Sequence, residues 1–139
     1  MGWVWRHMQG IWEHPGINQG YFAPTYPQIR DIFYPTVEEV AADWGLNVKI
    51  NEGNKEVHFY YGRQYRGTTI CRSMEKPQTI VGFKIGNALV DELDILPKEK
   101  ARTAWRKIIA RMRYKMMDFA TVLTLQPRRK DSNLLRAVC

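Results

Sequence analysis

Seven consecutive residues, Ala88-Leu89-Val90-Asp91-Glu92-Leu93-Asp94, join an apolar run to three carboxylates. A strand of this composition would bury its apolar side chains. It would deliver Asp91 and Glu92 together at the carboxyl edge of a parallel sheet, where ligands bind. That is a Walker B arrangement. The first carboxylate, Asp91, suits Mg²⁺, held through water. The second, Glu92, suits a general base that orients and deprotonates the water attacking a γ-phosphate. Asp94, two residues on, reads as a surface acid leading a helix. The same tetrad also describes a strand that simply ends in solvated acids.

A phosphate-binding loop would decide between these readings, and the sequence holds none. No Gly-x-x-x-x-Gly-Lys-[Ser/Thr] occurs in it. The segments from Gly16 to Gly20 and from Gly62 to Gly67 lack the lysine. The residues that would bind a nucleotide's phosphates are therefore not identified.

The elements that must position the acids can be read from periodicity. Val4, Met8, Ile11 and Trp12 have helical spacing over residues 3–13. Tyr21-Phe22-Ala23 reads as a buried strand, followed by a Pro24-Thr25-Tyr26-Pro27 turn and a short helix over 28–34. Pro35-Thr36 opens a second helix, with Thr36 and Glu39 at capping-box spacing and Gly45 at its end. Leu46, Val48 and Ile50 alternate with polar residues, as do Val57, Phe59 and Tyr61 after the Glu52-Gly53-Asn54-Lys55 turn. This is a hairpin with one wet face. Thr68 to Cys71 is a third short strand, residues 73–87 are loop-like, and Ala88-Leu89-Val90 is a buried strand. From Pro97 a long helix carries Ala101, Trp105, Ile108, Met112, Met116 and Phe119 on one stripe. Thr121 to Thr124 reads as one more strand. Residues 125–139 are polar, basic and aperiodic.

Composition sets the class. The chain has 139 residues, 45% hydrophobic and 25% charged, the composition of one globular domain and not of a disordered polymer. Charges interrupt every apolar run before membrane-spanning length. Residues 1–7 have neither the pattern of a secretory signal nor, with Arg6 in place of Ser or Thr, that of a myristoylation site. Cys71 and Cys139 form neither a disulfide framework nor a metal knuckle. The formal charge is +7. Much of the excess lies on Lys98, Lys100, Arg102, Arg106, Lys107, Arg111, Arg113 and Lys115, against Glu99 alone. Such a surface attracts polyanions, or is a solvated helix face.

Three ordered stretches resemble the ATPase domain of the large terminase subunit, the DNA-packaging motor of tailed bacteriophages. They are residues 20–31, with Tyr21-Phe22-Ala23-Pro24-Thr25; residues 72–82, from Arg72-Ser73-Met74-Glu75-Lys76-Pro77 to Gly82; and Leu89-Val90-Asp91-Glu92-Leu93-Asp94 with Pro97 to Arg102 and Trp105. The resemblance covers roughly residues 3–124. It implies an α/β, P-loop NTPase-like, mostly parallel sheet flanked by helices, with an antiparallel hairpin. Its first strand, expected to be central, would be missing. It implies Asp91 as the Mg²⁺ carboxylate, Glu92 as the base and Asp94 as an acid supporting the pair, with Mg²⁺ and ATP as cofactors in the parent family and neither held stably by this chain.

Further expectations follow from the family. Thr25 and Gln28 sit where related motors meet nucleic acid or couple to it, and Arg106, Arg111 and Arg113 form a face toward DNA or a neighbouring subunit. Arg63 and Arg66 offer a phosphate contact, or an exposed hairpin loop. The parent partners are double-stranded DNA, the portal, the small terminase subunit and a homo-oligomeric ring, in the cytoplasm of a bacterial host, with no membrane. A phosphate-binding loop should precede residues 3–13, and a coupling motif and nuclease domain should follow; their absence reads as an internal piece of a motor, a prophage or degraded-gene product. Residues 1–124 then form a partial ATPase domain. Residues 125–139 form an aperiodic basic tail, read either as the product of a change of reading frame near Leu125 or as an ordinary disordered C-terminal tail. The alternatives are a small basic DNA- or subunit-binding protein without catalysis, and a remnant without function.

Overall fold

The computed structural model describes residue 12, residues 16–112 and the backbone of residues 121–125. The 3–13 helix, apart from Trp12, and the tail beyond Leu125 lie outside the described residues, as do Arg113, Met116 and Phe119. Strands β1 (Gln19–Ala23), β2 (Asn47–Asn51), β3 (Glu56–Tyr61), β4 (Gln64–Ser73), β5 (Asn87–Asp91) and β6 (Thr121–Leu125) form one six-stranded sheet in the order β2-β3-β4-β1-β5-β6. The β2–β3 and β3–β4 pairings are antiparallel. The β4–β1, β1–β5 and β5–β6 pairings are parallel. Helices α1 (Tyr34–Asp43) and α2 (Lys98–Arg111) complete the layers. The fold is thus a mixed α/β sheet with helices.

Among the described residues no gap interrupts the centre of the sheet. β1 pairs on both sides, with β4 and β5, and β6 closes on β5. Among the described residues the free edges are β2 and β6.

Strand period sorts side chains onto the two faces. Tyr21, Ala23, Cys71 and Leu89 pack with Ile29, Phe33, Val37 and Val40 of the segment that includes α1. Phe22, Ile70, Ala88 and Val90 pack with Ala101, Ala104 and Ile108 of α2. Both faces being covered, β1 is buried at all its positions. Gly20 leaves room on the α2 face for Phe22 and Ile85: a Cβ there would lie 2.6 Å from Phe22 Cε2 and 2.9 Å from Ile85 Cδ1, so a side chain would make them shift. Within the α2 stripe Ala101 and Ile108 are buried, with Trp105 and Met112 half-buried against the same core.

The two helices expected over 28–34 and from Pro35 are one continuous helical path. A single turn at Tyr26–Gln28 runs into a wide, π-type turn at Ile29–Phe33 and then into α1. The Tyr34 N–H bonds to the Ile29 carbonyl, five residues back. Pro35 is the reason: it has no N–H to donate, and its ring crowds the preceding turn, which widens instead of breaking. With no helix start at Thr36, the capping box does not form. The Thr36 hydroxyl donates to the Ile32 carbonyl at 2.7 Å instead. The C-terminal signal is met: Gly45 has φ +74, its N–H bonds to the Ala42 carbonyl, and the Leu46 N–H reaches the Ala41 carbonyl at 2.8 Å. This double bond pattern is the Schellman motif.

The third strand is longer than expected, ten residues from Gln64 to Ser73. Arg66 therefore lies on β4 and not in a loop. Its guanidinium sits 4.7 Å from the Trp12 ring centroid and donates to the Trp12 carbonyl. Arg63 stays exposed at the β3–β4 turn. Among the described residues no helix is long and apolar enough to cross a membrane.

Candidate active site

Parallel pairing brings the carboxyl ends of β1 and β5 side by side. Tyr21 pairs with Leu89 and Phe22 with Val90. Asp91, two residues beyond Leu89, falls on the face that Tyr21 and the Ile29–Phe33 turn share. The Tyr21 hydroxyl donates to Asp91 Oδ2 at 2.8 Å. The Tyr21 ring is itself fixed, stacked on Phe33 with centroids 3.8 Å apart and planes 7° from parallel.

Glu92 leaves the strand in the left-handed conformation, φ 50° and ψ 42°, which side-chain-bearing residues rarely adopt. Its Oε2 accepts a hydrogen bond of 2.7 Å from Gln28 Nε2. Each member of the acid pair thus has a donor from the β1–α1 segment. That segment is anchored in turn by two backbone bonds from the end of β4. Met74 N–H reaches the Ala23 carbonyl and Glu75 N–H the Pro24 carbonyl, at 2.7 and 3.1 Å.

The electrostatics follow from this packing. Burial holds the Asp91 carboxyl above its ordinary range; the Tyr21 hydrogen bond opposes the rise, and the charge of Glu92 adds to it. Burial first, then Asp91, drives the Tyr21 hydroxyl far above the usual tyrosine value, so it is a proton donor at any working pH.

The other sequence-derived residues are scattered. Thr25 is half-buried at the start of the Tyr26–Gln28 turn, with extended backbone and no side-chain cap bond. Gln28 is brought to the acid pair. Asp94 is half-buried in a tight turn at Leu93–Ile95 just beyond it. Arg106 is exposed on α2. Arg111 is half-buried at the helix end, where its carbonyl accepts from the Ile85 N–H at 2.9 Å. Sequence reasoning read Tyr21 as plain core. The signal that could have found it is register: a tyrosine in the neighbouring strand, on the same face as the first acid.

A family model described as the terminase large subunit, T4likevirus-type, N-terminal, matches residues 8–129. The chain belongs to this family. Among curated proteins none matches. Solved structures share the fold. The large terminase from a thermophilic bacteriophage aligns with TM-score 0.67 at 12% identity, over 90% of this chain and 30% of that one. The same terminase in complex with ATP-gamma-S aligns with TM-score 0.64 at 12% identity, over 90% and 28% of the two chains. The ATPase domain of the large terminase of Thermus phage P74-26 aligns with TM-score 0.59 at 16% identity, over 92% and 55%. The chain thus spans less than a third of the first two terminases and about half of the third.

Proposed function

We propose that this chain carries the metal-and-water half of the ATPase site of a phage DNA-packaging motor, with Ala88–Asp94 as its Walker B segment. Asp91 is the Mg²⁺ carboxylate, Glu92 the general base, and Asp94 a supporting acid. The carrying observation is that Asp91 and Glu92 stand together at the carboxyl end of β5, each fixed by a donor from the β1–α1 segment. Mg²⁺ prefers hard oxygen donors and keeps most of its waters. The donor set fits it: Asp91 and Glu92 offer hard carboxylate oxygens side by side, with Tyr21 fixing the orientation of Asp91 through Oδ2. Bound Mg²⁺ would supply charge neutralisation to phosphate oxygens. A nucleotide's phosphates fit less well, since residues 1–139 contain no loop of the lysine-bearing kind. The chain is accordingly expected not to turn over ATP by itself. In a complete motor its setting would be the bacterial cytoplasm, a homo-oligomeric ring, the portal, the small subunit and double-stranded DNA.

Mn²⁺ titration of the purified chain, followed by water-proton relaxation, tests the reading. Weak binding is expected, in roughly the millimolar range of lightly ligated oxygen sites, and Asp91→Asn should abolish it. Binding unchanged in Asp91→Asn would remove Asp91 from the role.

A further inference from the structure

Away from the acid pair, one cleft gathers cations. It lies at the carboxyl end of β4 and has a volume of about 540 Å³. Lys55 reaches it from the β2–β3 turn, Arg72 from β4 and Lys76 from the segment after β4, with Tyr26 beside them. We propose that this cleft receives a phosphate group of a nucleic-acid backbone, touched by Lys55 and Lys76, with Arg72 as the positioning residue that fixes its walls. The inference goes beyond the acid-pair reading and does not depend on it.

The walls are set before a ligand arrives. One guanidinium joins them: Arg72 Nη1 donates to the Asn54 carbonyl of the β2–β3 turn, and Arg72 Nε to the Thr79 carbonyl of the far wall, each at 3.3 Å. The Cys71 N–H of β4 donates to the Lys55 carbonyl at 2.9 Å. Lys55 itself has φ 58°, a left-handed conformation that a residue with a side chain rarely takes. Such a conformation persists where the surroundings over-determine it, and it collects at ligand clamps. The Lys55 ammonium stands 5.2 Å from the Tyr26 ring centroid, a cation–π contact that keeps it at the cleft. Lys76 is exposed at the rim. A site ordered in this way loses little freedom on binding.

Charge and place choose the ligand. Two carboxylates, Glu56 and Glu75, share the lining with the three cations, which leaves one net positive charge. Glu56 is also engaged by His58 Nε2 at 3.4 Å. One net charge matches a phosphodiester, which carries a single negative charge. A free nucleoside triphosphate carries several and would bring them against both acids. Register keeps the cleft apart from the acid pair. Ala23 pairs with Ser73 and Phe22 with Val90, so Ser73 and Asp91 stand at one level with β1 between them, roughly 10 Å apart. The formal charge of +7 adds a long-range attraction for a polyanion.

Fluorescence anisotropy with a labelled DNA duplex, on the intact chain at several salt concentrations, tests the site. Lys55→Gln with Lys76→Gln should weaken binding by on the order of tenfold at low salt and lower the salt slope by about 1.8, at ~0.9 per lost phosphate contact. Lys49→Gln with Lys84→Gln removes the same charge from exposed lysines outside the cleft and should lower the slope by less than half as much. Equal losses in the two pairs overturn the proposal, because net charge alone then explains binding. No loss in the cleft pair, or no duplex binding by the wild type, overturns it as well. Should the cleft pair fail to fold, lysine acetylation of the wild type decides. Bound duplex should protect Lys55 and Lys76 and leave Lys49 reactive; Lys55 and Lys76 still reactive in the bound chain overturn the site. ATP and inorganic phosphate serve as separate probes in the same acetylation assay. Protection by either as full as that from duplex at equal phosphate concentration would assign the cleft to small anions and overturn the nucleic-acid reading.

Discussion

The Tyr21 hydroxyl meets Asp91 Oδ2 at 2.8 Å across 70 positions of sequence. The strand register produces this contact. Tyr21 lies opposite Leu89, so Asp91 stands two residues further along the same face, roughly 6.6 Å away. The length of a tyrosine side chain spans that step. The phenol is thus aimed along the strand toward the carboxyl edge, with its ring in the core and its hydroxyl at the site.

Asp91 should be a cost to stability at neutral pH. Burial is the chief cause of its raised value. A group raised on folding contributes its full stability below its unfolded value, near 3.9, and loses it as pH climbs through the folded value. Asp91→Asn cannot ionise, so it should be more stable than wild type at pH 7. The advantage should vanish near pH 3. Thermal unfolding at the two pH values measures this; a variant less stable than wild type at pH 7 contradicts it.

Tyr21→Phe keeps the ring on Phe33 and removes the donor. A half-buried carboxylate oxygen then loses its partner, at a cost of about 1–3 kcal/mol. Urea unfolding midpoints at pH 7 should show the loss, with unchanged denaturant slopes. An equal midpoint would mean that water replaces the hydroxyl without penalty.

Gly20→Ala tests the packing of β1 against the α2 face. The new Cβ would stand 2.6 Å from Phe22 Cε2 and 2.9 Å from Ile85 Cδ1. Both neighbours are buried core side chains, so relief requires repacking, and overpacking costs typically 1–3 kcal/mol. A melting temperature within a degree of wild type would show that Phe22 swings aside freely.

Much of this was legible in the sequence, for a physical reason. Strand period and apolar runs report burial directly, so β1, the β2–β3 hairpin and β5 were read from Tyr21-Phe22-Ala23, the alternations around Val48 and Val57, and Ala88-Leu89-Val90. Gly45 was legible because only a residue tolerant of positive φ ends a helix that way. The helix ahead of it was misread because Pro35 looks like a start, and local spacing carries no sign that a widened turn can absorb a proline. The Asp91–Glu92 pair was visible in sequence, but its donors were not. Tyr21 and Gln28 reach it through the β1–β5 pairing, a long-range fact that neither residue's neighbours encode.

The basic face of α2 gives a DNA test. Arg102 and Arg106 are exposed on it, whereas Arg111 is half-buried and a poorer probe. If this face meets duplex DNA, Arg102→Ala with Arg106→Ala should weaken binding uniformly across sequences. It should also reduce the salt slope by about one unit per lost phosphate contact. Fluorescence anisotropy at several salt concentrations measures both. Unchanged affinity and slope would assign the two arginines to solvent alone.

The purified chain should hydrolyse ATP no faster than background, and Glu92→Gln should change nothing in that assay. A general base contributes only when the reacting groups are held in line. That positioning accounts for effective molarities of roughly 10⁵–10⁸ M in well-oriented reactions. In phosphoryl transfer it comes from a backbone amide cradle and a lysine around the β- and γ-phosphates, and residues 1–139 contain no such loop. Asp91 and Glu92 then face a metal–nucleotide complex that diffuses freely and keeps no fixed orientation to them. Mg²⁺-dependent turnover that Glu92→Gln abolishes would show the opposite. Other groups of the chain would then be gripping the phosphates, and the exposed cations near the carboxyl edge, Lys76 first, would be the residues to substitute next.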